Sequence, residues 1–79
     1  MQIVEIEIKL PYKDRGEILG RLYSTIRGRI RDVHLFPPTV RGISEIRMEV
    51  IEENVPKLLA ELKKIIRNGR VTFRILSEA

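Results

Sequence analysis

Seventy-nine residues, 43% apolar and 33% charged, are expected to make one soluble globular domain, residues 1–79, with a single modest core and no room for a second. The absence of cysteine excludes disulfides, thiolate metal sites and a cysteine nucleophile together, and the lone histidine, His34, excludes a histidine-based metal cluster. The formal charge of +4 is concentrated at Arg15, Arg21, Arg27, Arg29 and Arg31, and no apolar run approaches the roughly 20 residues that span a bilayer.

The first stretch, VEIEIKL, alternates. Val4, Ile6, Ile8 and Leu10 point one way and Glu5, Glu7 and Lys9 the other, as in a half-buried strand, and Pro11 ends the run. Because this alternation begins at once, no signal peptide is expected. In KDRGEILGRLYSTIRG, Ile18, Leu19, Leu22, Tyr23 and Ile26 recur at helical spacing on one stripe. Asp14 is the expected N-cap, Glu17 completes a capping-box pair, and Gly28 is the expected left-handed stop. Gly16 and Gly20 lie one turn apart inside this helix. Each costs about 1 kcal/mol relative to alanine, which points to close approach of the backbone to the sheet or to a ligand.

IRDVHLF reads as the second strand, with Val33 and Leu35 inward and His34 outward; Pro37 and Pro38 stop it, which suits a sheet edge. After the loop TVRG, ISEIRMEVI is the third strand, with Ile46, Met48 and Val50 inward and Glu45, Arg47 and Glu49 outward. ENVPKLLAELKKIIRNG is the clearest helix. Val55, Leu58, Leu59, Leu62, Ile65 and Ile66 form its stripe, Asn54 is the N-cap, Pro56 sits in the first turn and Asn68-Gly69 supplies the stop. VTFRILS closes the chain, with Val71, Phe73 and Ile75 inward.

The order β-α-β-β-α-β predicts an α+β, ferredoxin-like plait: a four-stranded antiparallel sheet with both helices on one face. Right-handed crossovers place the first strand centrally beside the third, with the fourth flanking the first and the second flanking the third.

Glu5-x-Glu7-x-Lys9 resembles the opening of the triphosphate-tunnel enzymes, in which carboxylates hold metal and a lysine holds phosphate. Such a tunnel needs a closed barrel of roughly twice this chain's length with further Arg and Lys strands, so one chain does not supply it unless two build the barrel together. On the open face of a plait the same charges find partners in Arg47, Arg74 and Glu45 across the strands. No glycine-rich phosphate loop, nucleophile elbow or metal-ligand spacing follows, and Ser24, Ser44 and Ser77 have no histidine nearby in sequence. The expectation is therefore a protein with no catalytic residues, no cofactor and no metal. RNA-recognition domains share the element order, but the sheet positions that would stack bases are Glu5, Glu7, Glu45 and Glu49, which repel phosphate. An assembly or nucleic-acid-binding module using the basic first helix and the loop after it stands as the alternative reading.

Three stretches, KDRGEILGRLYSTI, GRIRDVHLFPP and VRGISEIRMEV, resemble the ACT domain, the small-molecule-sensing module of amino-acid metabolism, over nearly the whole chain. The first is similar to that family's Asp-Arg-Pro-Gly-x-Leu turn, the second to the approach to its second strand, and the third to the third strand of acetolactate synthase regulatory subunits. The chain departs from the family in having no proline between Arg15 and Gly16, and Arg29-Ile30 where Asn-Ile is common. The resemblance implies a regulatory domain that binds a metabolite such as an amino acid at a dimer interface and modulates a partner metabolic enzyme. Asp14, Arg15, Gly16, Glu17, Ile18 and Leu19 would line that site, and Arg29 would pair with a ligand carboxylate. A helix N-terminus at Asp14–Ile18 would offer free N–H groups to such a carboxylate.

A symmetric homodimer is expected, through the second-strand edge and the start of the first helix, with Phe36, Ile51 and Leu76 adding apolar contact on the nominally polar face. Cytoplasmic localisation without membrane association fits the composition. The abundance of Ile, Glu, Arg and Lys, with little Gln or Asn, suggests a thermophilic source.

Overall fold

The computed structural model of the chain describes residues 1–78. Period-two alternation makes the strands β1 (Gln2–Pro11), β2 (Ile30–Leu35), β3 (Ile43–Glu52) and β4 (Arg70–Glu78), and period-3.6 stripes make the helices α1 (Tyr12–Ile26) and α2 (Val55–Ile65). The strands form one sheet in the order β2-β3-β1-β4. All pairings are antiparallel: β1 meets β3 from Gln2↔Glu52 to Pro11↔Ile43, and β4 from Gln2↔Glu78 to Lys9↔Arg70. This is the ferredoxin-like α+β plait. Val4, Ile6 and Ile8 of β1 and Ile46, Met48 and Val50 of β3 are sealed beneath Leu22 and Ile26 of α1 and Val55, Leu58 and Leu62 of α2.

The start of α1 differs from its expected form. The helix begins at Tyr12, directly after the strand, so Asp14 is its third residue and not its cap. Pro11 has no N–H to satisfy, and the Tyr12 N–H donates to the Gly42 carbonyl at 2.8 Å. By helical periodicity the Arg15 N–H is the first to bond within the helix, so only the Lys13 and Asp14 N–H groups are left over, and Gly16–Ile18 offer none. Gly28 is not a left-handed stop either. It lies in a 3-10 turn, Arg27–Arg29, and Gly42 (φ +79°) is the one residue with positive φ among those described. Gly42 closes the β2–β3 loop, its N–H donating to the Thr39 carbonyl at 2.9 Å while the Thr39 N–H donates to the Ile43 carbonyl at 2.8 Å.

Gly16 and Gly20 approach nothing within the chain, since a Cβ at either would meet no atom within 4 Å. Close approach instead falls on Gly69, where a Cβ would come within 2.5 Å of the Lys9 carbonyl oxygen and 3.1 Å of the Leu10 Cβ. Backbone is the obstacle there, so β4 cannot enter the sheet beside β1 without a shift. Gly69→Ala is expected to cost about 1–3 kcal/mol, measured as a fall in urea midpoint, whereas Gly16→Ala should leave stability equal or higher.

Asn54 caps α2 as expected, its side-chain oxygen accepting from the Lys57 N–H at 3.1 Å, and Pro56 lies in the first turn. The helix stops at Ile65, earlier than Asn68-Gly69, because Ile66 turns extended and keeps its side chain in the core. The helical layer is narrower than the sheet. Leu35, Phe73 and Ile75 take their expected inward register, opposite Ile46, Ile6 and Val4, yet remain 48%, 47% and 46% exposed on the two edge strands. Tyr23, assigned to the apolar stripe of α1, is likewise half out of the core.

Candidate functional site

Each helix runs antiparallel to the strand before it, and β1 and β3 are themselves antiparallel. The start of α1 therefore lies beside the end of α2, and a cleft of about 130 Å³ opens between them. Leu10, Ile18, Ile65 and Ile66 make its walls apolar, and Asp14, Glu17, Arg67 and Asn68 supply its polar groups. Asp14 is half-buried, while Glu17 is exposed and shares its carboxylate with Arg21, one turn on, at 3.1 Å. The two free N–H groups of the first turn of α1 carry the positive pole of that helix. The cleft thus combines two carboxylates, a guanidinium and an amide with apolar walls. Topology alone could have named Arg67 and Asn68, because the crossover rules already set the two helices antiparallel.

Of the other residues expected at this site, Leu19 packs against the core and Gly16 faces outward from α1. Arg15 turns to the β2–β3 loop: its Nη1 donates to the Phe36 carbonyl at 3.0 Å, and its guanidinium lies 4.6 Å from the Tyr12 ring centroid. That contact ties the start of α1 to the end of β2. Arg29 lies beyond the far end of α1, about 20 Å from Asp14 at 1.5 Å of rise per residue. There it is bonded to Glu52, with Glu61 at 3.7 Å and the Thr25 carbonyl at 3.4 Å.

Glu52 is the functional-looking residue that sequence reasoning missed. Alternation places it on the helix side of β3 after Val50, and it is buried. Its Oε1 accepts from the Glu53 and Asn54 N–H groups at 3.0 and 3.1 Å, directly before α2, while its Oε2 meets Arg29. Burial pushes its carboxyl pKa up, but the Asn54 N–H, the Arg29 charge and the Glu53 N–H outweigh it, and the result lies below the ordinary carboxylate range. A carboxylate held ionised by its own chain in this way is a structural fastener between the 3-10 turn, β3 and α2.

The opening charges are committed too. Glu5 sits opposite Arg74 with 2.9 Å between them, and Arg47 meets Glu7 at 3.4 Å and Glu45 at 2.7 Å. The Glu45 bond holds the Arg47 guanidinium above its ordinary pKa. The same guanidinium lies 5.0 Å from the Phe36 ring centroid. These contacts fit cross-strand pairing and not a metal-and-phosphate tunnel. Among the described residues, no group of three His, Asp or Glu could hold a metal ion, and no helix is long and apolar enough to cross a membrane. Arg15, Arg21 and Arg29 all have partners within the chain, so the basic first helix offers less free charge than its sequence suggests.

No known protein family and no curated protein matches this chain in sequence. Solved structures do match in fold. The uncharacterized protein TM1266 from Thermotoga maritima aligns at 15% identity over 96% of this chain and 98% of its own, with a TM-score of 0.79. The de novo designed protein Foldit4 aligns at 19% identity over 98% and 97%, with a TM-score of 0.66. A formyltetrahydrofolate deformylase from Pseudomonas putida aligns at 16% identity over 96% of this chain but 29% of its own, with a TM-score of 0.58. At these identities the likeness is one of fold.

Proposed function

We propose that this chain is an ACT-like regulatory domain that binds a small metabolite, an amino acid in the first instance, and modulates a partner enzyme without catalysing a reaction itself. The observation that carries the reading is the cleft between α1 and α2, which holds Asp14, Glu17 and Ile18, three of the residues the family resemblance nominates, against Arg67 and Asn68. An ammonium group suits Asp14 and Glu17, and a carboxylate suits Arg67 and the first-turn N–H groups. The cleft is small, at about 130 Å³, and open to solvent on one side, which suits a small ligand. The occurrence of this fold within the chain of a deformylase supports a module that works beside an enzyme. The domain is proposed to self-associate and to reside in the cytoplasm.

A thermal-shift screen against the twenty amino acids and common nucleotides tests this. A true ligand at 100 times its dissociation constant should stabilise by about 2.7 kcal/mol. Asp14→Ala should abolish that shift while leaving the ligand-free midpoint nearly unchanged. A screen with no amino-acid shift at millimolar concentration, or a shift indifferent to both Asp14→Ala and Arg67→Ala, defeats the reading.

A further inference from the structure

The two edges of the sheet leave different surfaces uncovered. The β2 edge is six residues long, is broken by a bulge between Ile30 and Asp32, and carries the charged Arg31 and Asp32. Bulges and charges on an edge oppose pairing with another strand. The β4 edge carries charges too, Arg70 and Arg74, but it is nine residues long. On its helix side Phe73 and Ile75 stand in line, each nearly half exposed, and Leu76 is 42% exposed. Its irregularity lies near its end, where the register with β1 shifts between Ile3 and Val4, so Arg70–Ile75 pair regularly with β1.

We propose that β4 pairs with β4 of a second copy of this chain, antiparallel about a two-fold axis at Phe73, joining two sheets into one of eight strands. Opposed residues in an antiparallel pair share a sheet face. With the helices of both copies on the same side, the axis must therefore pass through a residue position. An axis at Thr72 sets Arg70 against the second copy's Arg74, and an axis at Arg74 sets that arginine against itself. Like charges directly opposite are destabilising. Axes at Phe73, Val71 and Ile75 oppose no like charges, but of these only Phe73 centres a five-residue pairing, Val71–Ile75, that lies wholly within the regular part of β4. That axis places Phe73 on the second copy's Phe73, Val71 on Ile75, and Thr72 on Arg74. Phe73 and Ile75, the exposed apolar residues on the helix side of β4, are then covered by Phe73 and Val71 of the second copy. This goes beyond the ligand-binding reading and does not depend on it, because the cleft is lined by neither edge strand. It also moves the expected seam from β2 to β4.

Charge swapping at the axis is the test, with mass read by light scattering at micromolar concentration. The unmodified chain should run at twice 9.2 kDa. Phe73→Lys and Phe73→Glu should each run at the monomer mass, and an equimolar mixture should return to the doubled mass. Leu35→Lys on the β2 edge should remain doubled. Phe73 lies outside the buried core, so these variants keep the fold, which circular dichroism verifies. A single Phe73→Cys, in a chain without cysteine, should form an intermolecular disulfide on mild oxidation, while Leu35→Cys should not. A monomeric unmodified chain, Phe73 variants that stay doubled, a mixture that stays monomeric, or a dimer lost on Leu35→Lys alone overturns the proposal. The amino-acid thermal shift, repeated in monomeric Phe73→Lys, is expected to persist, so failure of either idea is read separately.

Discussion

Leu22→Ala and Leu62→Ala should each lower the free energy of unfolding by about 2–5 kcal/mol. Both side chains are fully buried, one in each helix, and they form a single core with Ile6, Ile8, Ile46 and Met48 of the central strands. Truncation removes apolar contact and leaves a cavity that rigid strands on one side and a helix on the other cannot close. A small domain commonly holds only about 5–15 kcal/mol in total, so either change consumes a large share of it. Urea denaturation checks this: the midpoint should fall while the slope of the transition stays constant. Tyr23→Ala is the control. Tyr23 belongs to the same periodic stripe in sequence but is 49% exposed, and its loss should stay within about 0.5 kcal/mol of neutral. Equal costs at Leu22 and Tyr23 would mean that α1 is rotated about its axis so that Tyr23 is buried as deeply as Leu22.

Glu52→Ala should be the costliest change to a charged residue, at about 1.5–3 kcal/mol, the scale for losing hydrogen bonds to a charged, partly buried group. It deprives Arg29 of its partner and the Glu53 and Asn54 N–H groups of their acceptor, at the point where β3 hands over to α2. The same group makes stability depend on pH. Its folded pKa lies below the unfolded value of about 4.3, so its contribution is complete above that value and is lost as pH falls through the folded pKa. Glu52→Gln should accordingly be less stable than the unmodified chain at pH 7, with the gap narrowing as pH drops below about 4. Urea midpoints for both chains at pH 7 and pH 3 measure it. A gap that stays constant or widens in acid would show that the Glu52 carboxylate is not what fastens this corner.

The candidate site was legible to the extent that its residues are neighbours in sequence. Asp14, Glu17 and Ile18 lie within about one helical turn, so any reading that finds the helix start finds them together. Arg15 and Arg29 were placed at the same site by resemblance, and the structure sends each elsewhere. Arg15 is drawn 21 positions along the chain to the Phe36 carbonyl, and Arg29 is drawn 23 positions along to Glu52. A long flexible side chain takes the strongest acceptor within its reach, and that acceptor is set by which loops fold back beside it. Gly16 and Gly20 show the same limit from the other side. Their cost to the helix is visible in sequence, but whether anything approaches them depends on neighbours that sequence does not supply.

Local periodicity by itself determined the elements, their order and the plait, because alternation and helical stripes must each bury one face and the crossover rules leave one economical arrangement for β-α-β-β-α-β. It determined the partners of Glu5 and Glu7 as well, since an open sheet face lined with alternating charge pairs across its strands; Arg47 is shared between Glu7 across the strands and Glu45 along its own. Tertiary structure alone decided how far the core extends. Phe73, Ile75 and Leu35 have an inward register that differs in no local way from that of Ile6 or Met48, yet two helices cannot roof four strands, and the side chains on the edges stay exposed. It also decided that Glu52, a charged residue in an inward position, is held by Arg29 and the first N–H groups before α2 and is not expelled to solvent. In each case the deciding quantity is the distance between surfaces far apart in the chain, and no local pattern encodes it.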